Sequence, residues 1–268
     1  MTPPVVLSIA GSDSGAGAGV QADLKTCAAL GAFATTAITA LTAQNTLGVL
    51  GVLPTPADFL VAQVRAVLAD FTVAATKTGM LATAENAVAV AELGEEGVLG
   101  PLVVDPVLVD SSGRQILAPA VLDIYRRRLL ALATVVTPNT QEAALLLGGQ
   151  VGDIADVAGQ RAAARRLGGA TRGHVVVKGG RLSGGQALDV HWDGHALHEL
   201  VSPWVVTANN HGTGCSFATA VAAGLAQGLG PADAIGRAKA FVARAVASAA
   251  SWRLGAGRGG IDHFAPDP

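Results

Sequence analysis

Gly212-Thr213-Gly214-Cys215 stands between a short apolar run, Trp204 to Val206, and a long stretch of small residues, Ser216 to Gln227. The run reads as a strand and the stretch as a helix, so the four residues form a strand-to-helix turn. A Gly-Thr-Gly turn that opens a helix leaves several backbone N–H groups unpaired beside the positive end of the helix dipole, which makes an anion hole. The same field is expected to lower the pKa of the Cys215 thiol and make it a proton acceptor or nucleophile. The competing reading is a glycine turn with Cys215 packed as a small hydrophobe, and the four residues alone do not separate the two.

Working outward, the alternation of strand and helix recurs along the chain. Short β-branched runs (Val5–Ala10, Thr35–Leu41, Val73–Thr78, Leu102–Pro106, Thr134–Thr137, His174–Lys178) are separated by Ala/Leu-periodic segments. The helices expected there are Ala18–Leu30, Pro56–Ala69, Ala84–Leu93, Val121–Leu132, Gln141–Leu147, Ile154–Leu167, Cys215–Gln227 and Ala232–Ser251. This is the pattern of βαβ units and a buried parallel sheet. Around Asp193-Gly194 the pattern changes, and Ala187–Trp192 with His195–Val201 predicts an antiparallel hairpin at one edge. The expectation is an α/β three-layer sandwich: a mostly parallel central sheet, helices on both faces and a small edge hairpin. It forms one domain over residues 1–268, with the glycine-rich segment 255–268 a mobile tail.

Composition narrows the partners. Of 268 residues 14% are charged, the formal net charge is −2, and the longest basic run is Arg126-Arg127-Arg128, which argues against nucleic acid. Two cysteines, Cys27 and Cys215, allow neither a disulfide framework nor a four-thiolate zinc site. The first residues lack the basic region and apolar length of a signal peptide, and no apolar stretch crosses a bilayer uninterrupted. A reducing, cytoplasmic setting without membrane contact is expected.

In an open α/β sheet, ligands bind beyond the carboxyl ends of the strands, and the polar clusters all follow predicted strands. Gly11-Ser-Asp-Ser-Gly-Ala-Gly-Ala-Gly19 fits neither a dinucleotide fingerprint, because Val20 stands where Gly or Ala is needed, nor a phosphate loop ending in Gly-Lys-Ser/Thr. It reads as a loop whose backbone can approach a small substrate, with Asp23 facing the same mouth. The carboxamide of Gln44 carries a donor and an acceptor and can read the amino-plus-ring-nitrogen edge of a heteroaromatic ring; a lone Gln in a loop is more often solvated. Asp105, closing Leu102-Val-Val, is either a turn residue or a carboxylate for hydrated magnesium. Asn139 and Glu142 have capping-box spacing, and Glu142 could instead support magnesium. Lys178 ends Val175-Val-Val and would set a cation near phosphates, although a strand-end Lys is commonly solvated. No histidine, including His211, has persuasive metal-ligand spacing.

Collinear blocks carry a closer likeness: Ser8-Ile-Ala-Gly-Ser-Asp-Ser-Gly-Ala-Gly-Ala-Gly-Val-Gln-Ala-Asp-Leu-Lys25, Thr39-Ala-Leu-Thr-Ala-Gln-Asn45, Lys77-Thr-Gly-Met-Leu81, Asp105-Pro-Val107, Thr137-Pro-Asn139 with Glu142, Val177-Lys-Gly-Gly180 and Asn210-His-Gly-Thr-Gly-Cys215. In them the chain resembles the ribokinase-like superfamily, specifically the hydroxymethylpyrimidine/phosphomethylpyrimidine kinases of thiamine biosynthesis. The resemblance implies a ribokinase-like homodimer that uses ATP and Mg2+. It would phosphorylate 4-amino-5-hydroxymethyl-2-methylpyrimidine and then its monophosphate. It further implies that Gln44 grips the pyrimidine and that Gly11, Asp23, Met80 and Val107 line its pocket. Asp105 and Glu142 would organise magnesium, Lys178 and Thr213 would contact ATP phosphates, and the amides of Gly212, Thr213, Gly214 and Cys215 would stabilise the transferring group. Cys215, where the wider superfamily has aspartate, would be the base of the first step. The chain departs from the family pattern at Leu108, where Met is expected, and at Ser111, where Lys is common. A pyridoxal or pyridoxine kinase is the nearest rival, and a non-catalytic pyrimidine-binding module is a rival of another class.

Overall fold

The computed structural model describes residues 2–109, 116–182 and 185–264. Nine strands form one sheet in the order β3-β2-β1-β4-β5-β6-β7-β8-β9. The parallel core runs β2 (Phe33–Asn45), β1 (Val5–Ser12), β4 (Val73–Thr78), β5 (Leu102–Val104), β6 (Val135–Val136), β7 (His174–Leu182). The expected hairpin is present as β8 (Gln186–Trp192) and β9 (Leu197–Pro203), its turn closed by the Asp193 carboxylate accepting from His195 and Ala196 N–H. At the other edge β3 (Gly48–Pro54) pairs antiparallel with β2, a strand absent from the sequence expectation.

Two apolar layers enclose the sheet. On one face α2 (Ala57–Asp70), α3 (Ala84–Glu95), α4 (Pro119–Ile124), α5 (Leu130–Leu132), α6 (Thr140–Leu146) and α7 (Val157–Gly168) cover a core that includes Leu7, Ile9, Val104, Val136 and Val177. A π-helical segment, Tyr125–Leu129, joins α4 to α5. On the other face α1 (Gly19–Ala29), α8 (Thr213–Ala226) and α9 (Pro231–Ser248) pack on Val6, Ala75, Val103, Val135 and Val176. Residues Ser216 to Gly224 of α8 are buried all round, which is why that helix is apolar on every side.

The strand order reverses between β1 and β4, so the crevice at their carboxyl ends is a topological switch point. Residues Trp204 to Val206, expected as a strand, are not one. β9 ends at Pro203 because its partner β8 begins at Gln186, and Val206 is 87% exposed on the connection that returns from the sheet edge to α8. Part of the segment expected as a tail lies against the fold. Gly257 and Arg258 N–H donate to Thr46, Asp262 accepts from Ser248, and Ile261 and His263 are buried. Residues 265–268 lie outside the described residues.

Candidate active site

The two glycine loops interlock. Gly212 has φ 85°, and a Cβ there would strike the Gly17 carbonyl, so only glycine allows the contact. A Cβ on Gly17 would in turn strike the His211 ring. Amides of the first loop turn inward. Asp13 is buried and draws them inward: its carboxylate accepts from Gly15 N (2.8 Å), Gly17 N (3.1 Å) and Ala18 N (2.8 Å). Burial works to raise the Asp13 pKa, but the bond from His211 and those amides outweigh it and hold the carboxyl below its ordinary value.

On one side of the loops stand the residues expected to meet a substrate ring. Gln44 lies near the end of β2; its N–H donates to Ser14 Oγ, which donates to the Gln44 carbonyl. Its side-chain amide is 3.1 Å from His211 Nε2, which is 3.0 Å from Asp13 Oδ2. Gly11 and Met80 come together, the Met80 side chain packing where a Gly11 Cβ would be, and Thr39 Oγ1 donates to the Met80 carbonyl. Val107 is partly exposed two residues past Asp105. Leu108 is wholly buried in the core, so an apolar residue suffices there, and Ser111 lies outside the described residues.

Asp23 is a correction. It does not face the mouth: it is fully buried under the sheet, paired with the equally buried Lys77 of β4 at 2.9 and 3.0 Å. Ser8 Oγ (2.5 Å) and Thr219 Oγ1 (2.6 Å) also donate to it. The helical phase of α1 turns position 23 toward α8, where a charge is tolerable only with these partners.

The charged groups converge just past β5 and midway along β7. Lys178 Nζ lies 3.2 Å from Asp105 Oδ1, which Thr137 Oγ1 also approaches at 3.2 Å. A Cβ on Gly214 would sit 3.3 Å from Lys178 Nζ and 3.9 Å from Asp105 Oδ2, so this pair faces the first turn of α8. Burial opposes the charge on Lys178, yet the Asp105 and Glu142 carboxylates raise its pKa above the ordinary value. Glu142 completes the expected capping box, Oε2 accepting from Asn139 N at 2.8 Å, while Oε1 lies 3.4 Å from Leu108 N. Burial, then repulsion from Asp105, pushes Glu142 up to about 8. No group of three or more His, Cys, Asp or Glu side chains among the described residues could cage a metal alone. Two crowded carboxylates do suit a hydrated divalent cation that completes its shell with water and phosphate oxygens. Thr213 Oγ1 donates to the Asn210 carbonyl at 3.1 Å and so braces the loop.

Cys215 departs from expectation. Burial pushes its thiol up to about 11; Lys77 and the Gly19 N–H favour the thiolate, and Asp105 and Asp23 oppose it. Desolvation by the surrounding protein outweighs the pull of Lys77 and the Gly19 N–H.

Sequence reasoning passed over Asp13, His211 and Lys77. A lysine in Ala74-Ala-Thr-Lys-Thr78, a strand covered on both faces, is the signal that it must be paired inside. Asp13 and His211 are 198 positions apart and carry no local signal.

Residues 13–262 match the family model for phosphomethylpyrimidine kinase. The hydroxymethylpyrimidine/phosphomethylpyrimidine kinase of Rhizobium meliloti is 45% identical over 261 residues, 97% of each chain. The thiamine biosynthetic bifunctional enzyme of Arabidopsis thaliana is 44% identical over 97% of this chain, which spans only 50% of that protein's length. Among solved structures, pyridoxal kinase from Staphylococcus aureus in complex with pyridoxal superposes with a TM-score of 0.89 at 36% identity, covering 99% of this chain and 95% of that one.

Proposed function

The chain belongs to the phosphomethylpyrimidine kinase family, and on that basis we propose that it transfers phosphoryl groups from ATP to 4-amino-5-hydroxymethyl-2-methylpyrimidine and then to its monophosphate. The observation that carries the reading is the Lys178–Asp105 pair set against Gly214 in the first turn of α8, with Glu142 beside it. In phosphoryl transfer the protein's work is positioning and charge stabilisation, and this cluster offers both.

Lys178 and the amides of Gly212 to Cys215 receive the transferring group, and Thr213 keeps the loop in place for ATP phosphates. Asp105 and Glu142 hold Mg2+ directly or through water; bound there, the cation would neutralise charge on the phosphates. Gln44 meets the aminopyrimidine edge, and Gly11, Met80 and Val107 line the ring. Because the Cys215 thiol is protonated at neutral pH, its part is contact with the hydroxymethyl group rather than action as a free thiolate.

The working form is a homodimer joined through β3. Every residue of that edge strand is exposed, including Leu50 at 81% and Leu53 at 66%, an apolar edge that a second copy would cover. Both cysteines are free, in keeping with a cytoplasmic enzyme, and no helix among the described residues is long and apolar enough to cross a membrane.

The likeness to pyridoxal kinase supports a second reading, in which the ring is pyridoxal. The test is ATP consumption with product masses, offering hydroxymethylpyrimidine, its monophosphate and pyridoxal in parallel with Mg2+. Formation of the pyrimidine mono- and diphosphates is expected. Preference for pyridoxal would move the function to vitamin B6 salvage, and no turnover would leave a binding module.

A further inference from the structure

Gln44, His211 and Asp13 form a short polar chain whose bonds cannot all be satisfied with the Gln44 amide nitrogen against the imidazole. Asp13 is an acceptor only, already receiving three loop amides. The ring nitrogen 3.0 Å from its Oδ2 must therefore carry the proton, which makes His211 Nε2 a donor. A protonated Nε2 cannot also accept from the Gln44 NH2 at 3.1 Å. The two ends of a glutamine amide have nearly the same shape, and their partners decide which is which. The consistent arrangement turns the amide so that Oε1 faces His211, whose proton is shared between Asp13 and Gln44.

Little else in the chain can move. The His211 ring rests against Gly17, and the backbone N–H of His211 donates to the Gly259 carbonyl at 3.0 Å. Gln44 is pinned through its backbone to Ser14 in both directions. The polarity of the Gln44 amide is therefore decided by His211, and the tautomer of His211 by Asp13.

We propose that the Asp13–His211 pair is a positioning device that fixes the direction of the Gln44 carboxamide and thereby its selectivity between ring edges. With Oε1 held by His211, Gln44 offers Nε2–H to a ring nitrogen and a second Oε1 lone pair to an exocyclic amino group. That pattern fits a 4-aminopyrimidine. It opposes a 4-oxopyrimidine, whose N–H and C=O present the reverse order. The proposal rests on the reading that Gln44 meets the pyrimidine edge, and the experiment separates the two.

The measurement is kcat/KM for the 4-amino substrate and for the same ring carrying a 4-oxo group, in the wild type, His211→Phe and Gln44→Leu. The wild type is expected to prefer the amino ring by about 100-fold or more, since a mismatched edge leaves polar groups unpaired. In His211→Phe the amide is free to turn, and the preference is expected to fall to within about tenfold while the KM for ATP changes less than about twofold. A preference kept in His211→Phe but lost in Gln44→Leu overturns the positioning role and leaves the Gln44 reading standing. A preference kept in Gln44→Leu overturns both. A further measurement needs no substitution: long-range 15N spectra of the histidines, with His211 recognised by its ring contact to Gly17. They are expected to show His211 protonated at Nε2, and protonation at Nδ1 alone would overturn the proposal whatever the variants do.

Discussion

Replacing Lys77 by Met strikes at the buried pair that ties several elements together under the active site. Lys77 and Asp23 are both wholly inaccessible, 2.9 Å apart, and join β4 to α1, with Thr219 adding α8. Removing the ammonium leaves the Asp23 carboxylate with only the Ser8 and Thr219 hydroxyls as described side-chain donors. Breaking a buried pair in this way costs about 3–5 kcal/mol, a large part of the roughly 5–15 kcal/mol that stabilises an ordinary domain. At about 2–4 °C per kcal/mol for a domain somewhat smaller than this one, the expected fall in Tm is roughly 6–20 °C. Replacing both partners, Lys77→Met with Asp23→Asn, removes both charges and keeps polar groups for the hydroxyls, so most of the loss should return. Urea unfolding of the wild type, both single variants and the double variant gives the coupling energy directly. If Lys77→Met costs less than about 1 kcal/mol, or the double variant is no better than the worse single one, the pair is not the support described here. The same set tests the corrected role of Asp23. If it is a core group, the double variant keeps the wild-type KM for the pyrimidine, whereas a pocket residue would raise it.

The remaining expectations concern the mouth and the edge. Cys215→Ala should slow the first and second phosphorylations by similar factors, with a first-step rate flat between about pH 7 and 9, because a thiol near 11 supplies almost no thiolate there. A loss confined to the first step, with a tenfold rise per pH unit, would restore Cys215 as base. Glu142 is pushed up to about 8, so the folded metal-free protein holds its proton where the unfolded chain, near 4.3, does not. Stability attributable to this group therefore falls as pH rises from about 4 to 8. Glu142→Gln should raise Tm more at pH 8.5 than at pH 5, and Mg2+ should stabilise the wild type at pH 8.5 but not this variant; equal shifts at both pH values would refute the assignment. Leu50→Glu on β3 should convert a dimer to a monomer in sedimentation velocity without lowering Tm by more than a few degrees, and an unchanged dimer would place the interface elsewhere.

The parallel core was legible because its strands are apolar on both faces and its helices are periodic; Val73–Thr78 was read to the residue. β3 was missed because Gly48-Val-Leu-Gly-Val-Leu-Pro54 lacks alternation, and its turn, Thr46-Leu47, is not a usual hairpin dipeptide. There the Asn45 side chain closes the turn by accepting from Leu47 N–H. Trp204 to Val206 misled for the opposite reason, since their composition is strand-like but no strand among the described residues pairs with them. The glycine-rich tail looked mobile, yet its glycines are what let the backbone approach Thr46 and Gly17. Near the site the place of Asp105 after a strand and of Glu142 in a capping box was readable from local sequence, whereas the inward turn of Asp13 depends on long-range contact.

Fold alone cannot choose the ring. A pyridoxal kinase bound to pyridoxal superposes on this chain at a TM-score of 0.89, so backbone geometry is shared by proteins named for different substrates. The choice must then lie in the few polar atoms at the ring edge, since apolar contacts, such as those proposed for Met80 and Val107, distinguish heteroaromatic rings by only about 1–3 kcal/mol, whereas a mismatched hydrogen-bonding edge costs far more. On the proposed reading, those atoms in this chain are the carboxamide of Gln44 and, behind it, the His211–Asp13 pair. Asp13 is thus asked to do two things with one carboxylate: order the glycine loop through three amides and set the proton on His211. A neutral carboxamide in its place would turn its own NH2 either to the Gly15 N–H or to the Gly17 and Ala18 N–H groups, so Asp13→Asn should loosen the loop and blur ring selectivity together. His211→Phe should blur selectivity with the loop intact, as read by unchanged amide-exchange protection at Gly15, Gly17 and Ala18. If both variants lose that protection equally, loop order and ring choice are a single property and the division drawn between them is wrong.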